Sequence, residues 1–166
     1  MDTRTVAIFI IIMLVIFLPF VILNNIGKNV KRKLYKQFNS IAVKNELNIN
    51  EKEFWANSYI GMDSAKKRLL FLNTDEGRFE DGEMVDLNTI KECNVVTSIK
   101  SINTKLKKEN VLLKVALEIY YLDNRMPMKS LNFYDHNLPY NEDFELKRAE
   151  KWEKLIKDQI PTLKHT

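Results

Sequence analysis

Two clusters of cations are the residues of this chain best suited to chemistry with another molecule. Lys66, Lys67 and Arg68 stand together at a turn, and Lys105, Lys107 and Lys108 form a second basic turn. Clustered ammonium and guanidinium groups stabilise phosphate and carboxylate charge through charge-assisted hydrogen bonds. They are candidate contacts to a lipid or a partner. The alternative is that both are ordinary solvated hairpins, in a neighbourhood made acidic by Asp75, Glu76, Glu80, Asp81 and Glu83. Catalytic arrangements are hard to assemble. Asp135-His136 has the types needed for a general base, but no serine or cysteine is set by motif as its nucleophile. A surface loop between strand and helix explains the pair as well. One cysteine, Cys93, and two distant histidines, His136 and His165, give no metal-ligand spacing. The acidic stretch 75–86 lacks the alternating ligands of a calcium loop. Four glycines form neither a dinucleotide-binding fingerprint nor a phosphate-binding P-loop. The expectation is a non-enzymatic chain with no catalytic residue, no metal and no cofactor.

The segment that should position everything else is Val6–Leu23, 18 residues without a charge. As a helix it is roughly 27 Å long, near the ~30 Å hydrocarbon core of a bilayer. Its apolar core exceeds that of a signal peptide, and Asn24-Asn25-Ile26-Gly27 offers no small-residue cleavage site. The expectation is a five-residue tail, a transmembrane helix over 6–24 and a basic amphipathic juxtamembrane helix over 25–50. A soluble domain over 51–166 follows. Lys28, Lys31, Arg32, Lys33 and Lys36 follow the apolar segment, against Arg4 alone before it. Basic residues accumulate on the cytoplasmic side. This predicts a single-pass membrane protein with its N-terminus outside and its domain in the cytoplasm. The five cations fix topology or attract anionic lipid.

The net charge of +4 is unevenly spread. Residues 1–36 hold six Lys/Arg against one Asp, while residues 37–166 hold 20 against 21 acids. The domain itself is close to neutral, so the basic pI is no argument for nucleic acid. A lone Cys93 in an apolar-leaning stretch reads as a buried structural thiol.

After the apolar segment and ahead of the domain, Val30, Leu34, Phe38, Ile41 and Ala42 recur at helical spacing between lysines, roughly over Gly27–Leu47. From Phe54 the period changes to two. Ser58–Asp63, Arg68–Asn73, Met84–Leu87, Glu92–Asn103, Val111–Leu122 and Met126–Tyr134 read as strands. Leu106–Asn110 reads as a polar turn, and Asp123-Asn124 as a tight hairpin. Leu146, Ala149, Trp152, Leu155, Ile156 and Ile160 form the stripe of a last amphipathic helix, with Glu142 and Asp143 at its start and Pro161 ending it. Trp55 and Trp152 read as core residues. The fold class is α+β: six to seven antiparallel strands closed by a C-terminal amphipathic helix.

Several stretches sharpen this. Ile60-Gly61-Met62-Asp63 leads to Lys66-Lys67-Arg68-Leu69-Leu70-Phe71, and Val85-Asp86-Leu87-Asn88-Thr89-Ile90 precedes Cys93. Asn132-Phe133-Tyr134-Asp135 and Ala149-Glu150-Lys151-Trp152-Glu153 complete the set. Over about 54–160 the chain resembles small bacterial pleckstrin-homology-like (PH-like, GRAM-like) proteins with an N-terminal membrane helix. The resemblance implies a curled sheet or barrel plugged by the last helix, and a binding or scaffolding role at the cytoplasmic membrane face. It also implies that a first hairpin such as Lys66–Arg68 can grip anionic lipid headgroups, the alternative function. A membrane-bound enzyme with an unrecognised site is the weaker alternative. The partners expected are the lipid bilayer and another membrane or cytoplasmic protein, with no nucleic acid.

Overall fold

The computed structural model describes the backbone of residues 3–75, 78–79, 82–104, 107–138 and 144–160, and the side chains of 11–19, 31–74, 82–101, 110–138 and 144–160. The elements are α1 (Thr3–Lys44), β1 (Glu51–Trp55), β2 (Ser58–Asp63), β3 (Arg68–Asp75), β4 (Arg78–Phe79), β5 (Glu83–Asp86), β6 (Ile90–Thr104), β7 (Lys107–Tyr121), β8 (Lys129–Asp135) and α2 (Glu145–Lys157). All pairings are antiparallel. β1, β2 and β3 lie side by side, and β3 also pairs with β4 and β5. β6, β7 and β8 form a second sheet.

The class is α+β, as expected, but the strands make two separate sheets of five and three strands instead of one curled sheet or closed barrel. The break has a local cause. Leu87–Thr89 forms a single 3-10 turn between β5 and β6, capped by the Asp86 side chain accepting from the Asn88 N–H. Leu87 is fully buried there, so the chain turns from one sheet into the other about an apolar pin.

The transmembrane expectation is also corrected. α1 is one helix of 42 residues that runs through Pro19. Of the expected span over 6–24, side chains are described for Ile11–Pro19. At 1.5 Å per residue that stretch is roughly 13 Å, less than half of a ~30 Å hydrocarbon core. Among the described residues no helix is long and apolar enough to cross a membrane. The single-pass membrane assignment, with N-terminus outside and domain in the cytoplasm, is set aside on that finding. Ile11 to Leu18 are each 49–68% exposed. The same helix continues as the basic amphipathic segment, and there its stripe has a partner.

That partner is the outer face of the first sheet. Leu34, Phe38 and Ala42 pack on Tyr59, Leu70 and Leu72. The inner face supplies Ile60, Met62, Leu69, Phe71 and Val85 to the main core, shared with Val115, Leu117 and Leu131 of the second sheet and Ala149, Trp152 and Ile156 of α2. The residues of β2 are buried along its whole length. Double-sided burial explains why Arg68–Asn73 reads as a continuous apolar run and not as an alternation. The α2 stripe falls as its spacing predicts, and Trp55 and Trp152 are both core residues.

Phe38 reaches β2 because position 61 is glycine. A Cβ there would lie 2.5 Å from Phe38 Cζ and 2.9 Å from Ile49 Cγ2. No ordinary van der Waals contact is that short.

Three boundaries differ from expectation. β1 begins in Glu51-Lys52-Glu53, whose charges hide a strand at the sheet edge. Lys107–Asn110, expected as turn, continues β7 and pairs with Ser101–Thr104. β7 and β8 are joined by a longer connection around Asp123, whose carboxylate accepts from the Arg125 N–H at 3.0 Å. Glu142, Asp143 and Pro161 lie outside the described residues.

Glu53 ties β1 to α2. Its carboxylate accepts from Arg148 Nε at 3.0 Å, Lys151 Nζ at 2.9 Å and Trp152 Nε1 at 3.0 Å. Burial pushes the Glu53 carboxyl up, but the donors of Lys151, Trp152 and Arg148 together outweigh it and hold the group below the usual carboxylate range. Trp55 Nε1 donates to the Phe133 carbonyl at 3.0 Å, joining the two sheets.

Two outcomes follow from these contacts. Gly61→Val should destabilise the chain by about 1–3 kcal/mol through overpacking. Phe38→Ala in the same chain should recover part of that loss, read as non-additivity of chemical-denaturation midpoints. Because the Glu53 carboxyl is depressed in the folded state, its stabilisation is complete above the ordinary carboxylate range and is lost as pH falls through the folded value. Thermal melts in that acid window should show a shallower pH slope for Glu53→Gln than for the unaltered chain. An identical slope would remove Glu53 as a source of acid sensitivity.

Candidate functional site

The first basic hairpin is not a free cationic surface. The turn over Ser64–Lys67 is built by Asp63, whose carboxylate accepts from the N–H of Lys66 at 2.9 Å and of Asn48 at 2.7 Å. The Lys66 N–H, more than any other donor, holds the Asp63 carboxyl below its usual range. Lys67 takes a left-handed backbone conformation, φ 52°. Lys66 Nζ donates to the Glu46 carbonyl at 2.6 Å and lies 3.7 Å from its carboxylate. Arg68 pairs with Asp86 at 3.0 Å. Two of the three cations therefore face acids of this chain. Surface pairs of this kind add little stability, but they cancel the field a headgroup would feel. In the second basic turn, Lys105 and the side chains of Lys107 and Lys108 lie outside the described residues.

The cations of α1 behave differently. Lys31, Arg32, Lys33 and Lys36 are exposed, and among the described residues none of them is in an ion pair. The side chain of Lys28 lies outside the described residues. Lys31 and Arg32 border an open groove of about 480 Å³, whose other lining residues are Tyr35, Phe54 and Tyr59. That volume is within the range of small-ligand and anchor-residue pockets.

Three elements converge to make it. Helical spacing puts Lys31 and Tyr35 one turn apart on the same side of α1. The β1–β2 register sets Phe54 directly opposite Tyr59, with ring centroids 5.9 Å apart. Tyr35 and Tyr59 are 6.2 Å apart, and Phe38 packs under Tyr59 at 4.2 Å. Lys31 Nζ sits 4.8 Å from the Phe54 ring centroid, close enough for cation–π attraction. Burial, and secondarily Tyr35, raises the Tyr59 phenol above its usual value, so the charge of the groove comes from Lys31 and Arg32. The result is an aromatic floor with a cationic rim. Such a surface holds an anionic group beside an apolar one.

The sequence marks Lys31 and Arg32 as juxtamembrane cations, not as the rim of a groove, and it does not mark the floor. Tyr35 adjoins the buried stripe without belonging to it, and Tyr59 alternates with the inward Ile60. The offset of Tyr35 from the α1 stripe and the alternation of Tyr59 with Ile60 on β2 are the signals that could have found it.

The remaining candidates have structural places. Asp135 accepts from the Asn137 N–H at 2.9 Å, and His136 is exposed in the following turn; among the described residues no nucleophile is hydrogen-bonded to the pair. Among the described residues no group of three His, Cys, Asp or Glu could hold a metal. A cavity of about 10 Å³ beside Asn57, Asn73 and Asn132 is no larger than one water. Cys93 is buried, and burial pushes its thiol up to about 12, with the Glu153 carboxylate acting in the same direction.

No protein-family model, no curated protein and no solved structure matches the chain.

Thiolate is the reactive form of cysteine. Cys93 should therefore resist a soluble disulfide reagent at pH 8 in the folded chain and react stoichiometrically once denaturant is added. Rapid labelling without denaturant would contradict its place in the core.

Proposed function

We propose that the chain is a non-catalytic binding or scaffolding module whose recognition surface is the groove between α1, β1 and β2. One observation carries this reading. The cations of α1 beside the groove have no acidic partner among the described residues, whereas Lys66 and Arg68 of the first hairpin do. Unpaired charge beside exposed aromatic area is the composition of a docking surface, where Tyr and Arg contribute most of the binding energy. The groove is also lined by rings and cations, not by a nucleophile with its base. From the PH-like resemblance the reading keeps the functional implication, a module that binds without chemistry. It does not keep the headgroup grip of the first hairpin, because Glu46 and Asp86 occupy that hairpin's charges.

The test compares surfaces within one chain. Full-length protein carrying Tyr35→Ala and Phe54→Ala should co-purify from its own cells with less of whatever partner the unaltered chain retains. Lys66→Glu with Arg68→Glu should leave that retention unchanged. The reverse pattern, with hairpin charges required and groove rings dispensable, refutes the assignment.

A further inference from the structure

We infer that the occupant of the groove is an acidic peptide segment of a partner protein that lays one apolar or aromatic side chain against the accessible faces of Tyr35 and Phe54, over Tyr59. This rests on the groove being the recognition surface, and adds the chemical class of what binds there.

Charge complementarity is the first argument. Lys31, Arg32, Lys33 and Lys36 put four cations on six consecutive residues of α1, with no Asp or Glu between Gly27 and Lys44. Among the described residues they meet no carboxylate. A docked acidic segment supplies what this face lacks. It also gains on-rate, since opposite potentials steer the encounter.

Shape is the second argument, and it separates a peptide from a lipid surface. The floor is recessed. Tyr59 is 6% exposed and Phe54 half-buried, while Tyr35 at the wall is 45% exposed. A bilayer surface is flat on this scale and meets the rim before the floor. A single side chain on a flexible backbone reaches down into the recess that Tyr35 and Phe54 border. The floor is also built to keep its shape: the Phe54–Tyr59 pair is fixed by strand register, and Phe38 supports Tyr59 from below. A preformed aromatic pocket lowers the ordering cost of binding.

The geometry divides the labour. The rings receive the anchor, Arg32 and Lys31 meet carboxylates that flank it, and Lys33 and Lys36 extend the positive field along α1. Lys31, held over the Phe54 ring, links the two parts, since a carboxylate drawn to its ammonium arrives beside the pocket mouth.

The experiment is a fluorescence-anisotropy titration of the full chain with a short labelled peptide in which glutamates flank a central Leu-Phe pair. The expected result is saturable binding that weakens as salt rises. Arg32→Glu, an exposed change that leaves the core untouched, should weaken it by about 10-fold, and so should Phe54→Ala. Replacing the Leu-Phe pair by serines, or the glutamates by lysines, should abolish it. Binding that ignores Arg32→Glu, or that the serine peptide retains in full, overturns the inference. So does a chain that passes over the peptide but is captured by phosphatidylserine-containing vesicles in an Arg32-dependent way. Absence of peptide binding while the Tyr35 and Phe54 variants still lose their cellular partner leaves the groove as the recognition surface and refutes only the acidic-peptide class.

Discussion

The approach of the Phe38 ring to the bare Cα of Gly61 sets the architecture of this molecule. It lets a helix lie against β2 at a distance no side-chain-bearing residue would permit. Leu34 and Ala42 then close on Leu70 and Leu72 on either side of it. Full burial of a side chain of this size contributes about 1.5–3 kcal/mol. The first sheet is consequently buried on both faces. One face belongs to a core shared with α2 and the second sheet, and the other to α1. The groove lies over Tyr59, the residue on which Phe38 packs, so its position follows from the seat of Phe38.

The two sheets are held together less by strand pairing than by what lies between them. The 3-10 turn at Leu87–Thr89 separates their ladders. Trp55 stacks on Phe133 at 4.7 Å and donates to its backbone carbonyl. Trp152 fills the core and reaches Glu53 at its rim. Arg148 and Lys151 complete the shell around that carboxylate, and the Arg148 guanidinium lies 5.9 Å from the Trp55 ring centroid. Each indole thus satisfies its own N–H while burying its rings, the condition under which tryptophan belongs in a core. The effect is to make β1, an edge strand with charged residues at its start, part of the interior contact between sheet and helix.

How much of this was legible depended on how local the determining contacts are. The α2 stripe and the alternation of Val111, Leu113, Val115, Leu117, Ile119 and Tyr121 are one-dimensional patterns with one solution. β2 and β3 appeared in the right places for the same reason. β1 did not, since Glu51-Lys52-Glu53 carries no apolar alternation and is ordered by pairing with β2 and, at the Glu53 carboxylate, by α2. The extension of β7 into Lys107–Asn110 was hidden too, because polar residues in a two-stranded ribbon are held by the opposite strand and not by a core. The long uncharged segment was read as a membrane span from composition, while among the described residues no helix is long and apolar enough to cross a membrane. The basic clusters were visible as charges, but Glu46 and Asp86 stand 20 and 18 residues from the cations they neutralise. The aromatic floor comes from α1, β1 and β2, and no window along the chain contains it.

One contact of α2 bears on how the molecule behaves in company. The Val95 N–H, on the side of β6 away from β7, donates to Glu153 at 3.2 Å. A strand border with bare amides is a template on which other chains can polymerise. Here a carboxylate on the helix terminates that border where β6 leaves the core, and the ladder irregularity between Ser98 and Ile99 roughens what lies beyond. The helix that seals the interior thereby also covers one backbone donor on the open border of the second sheet.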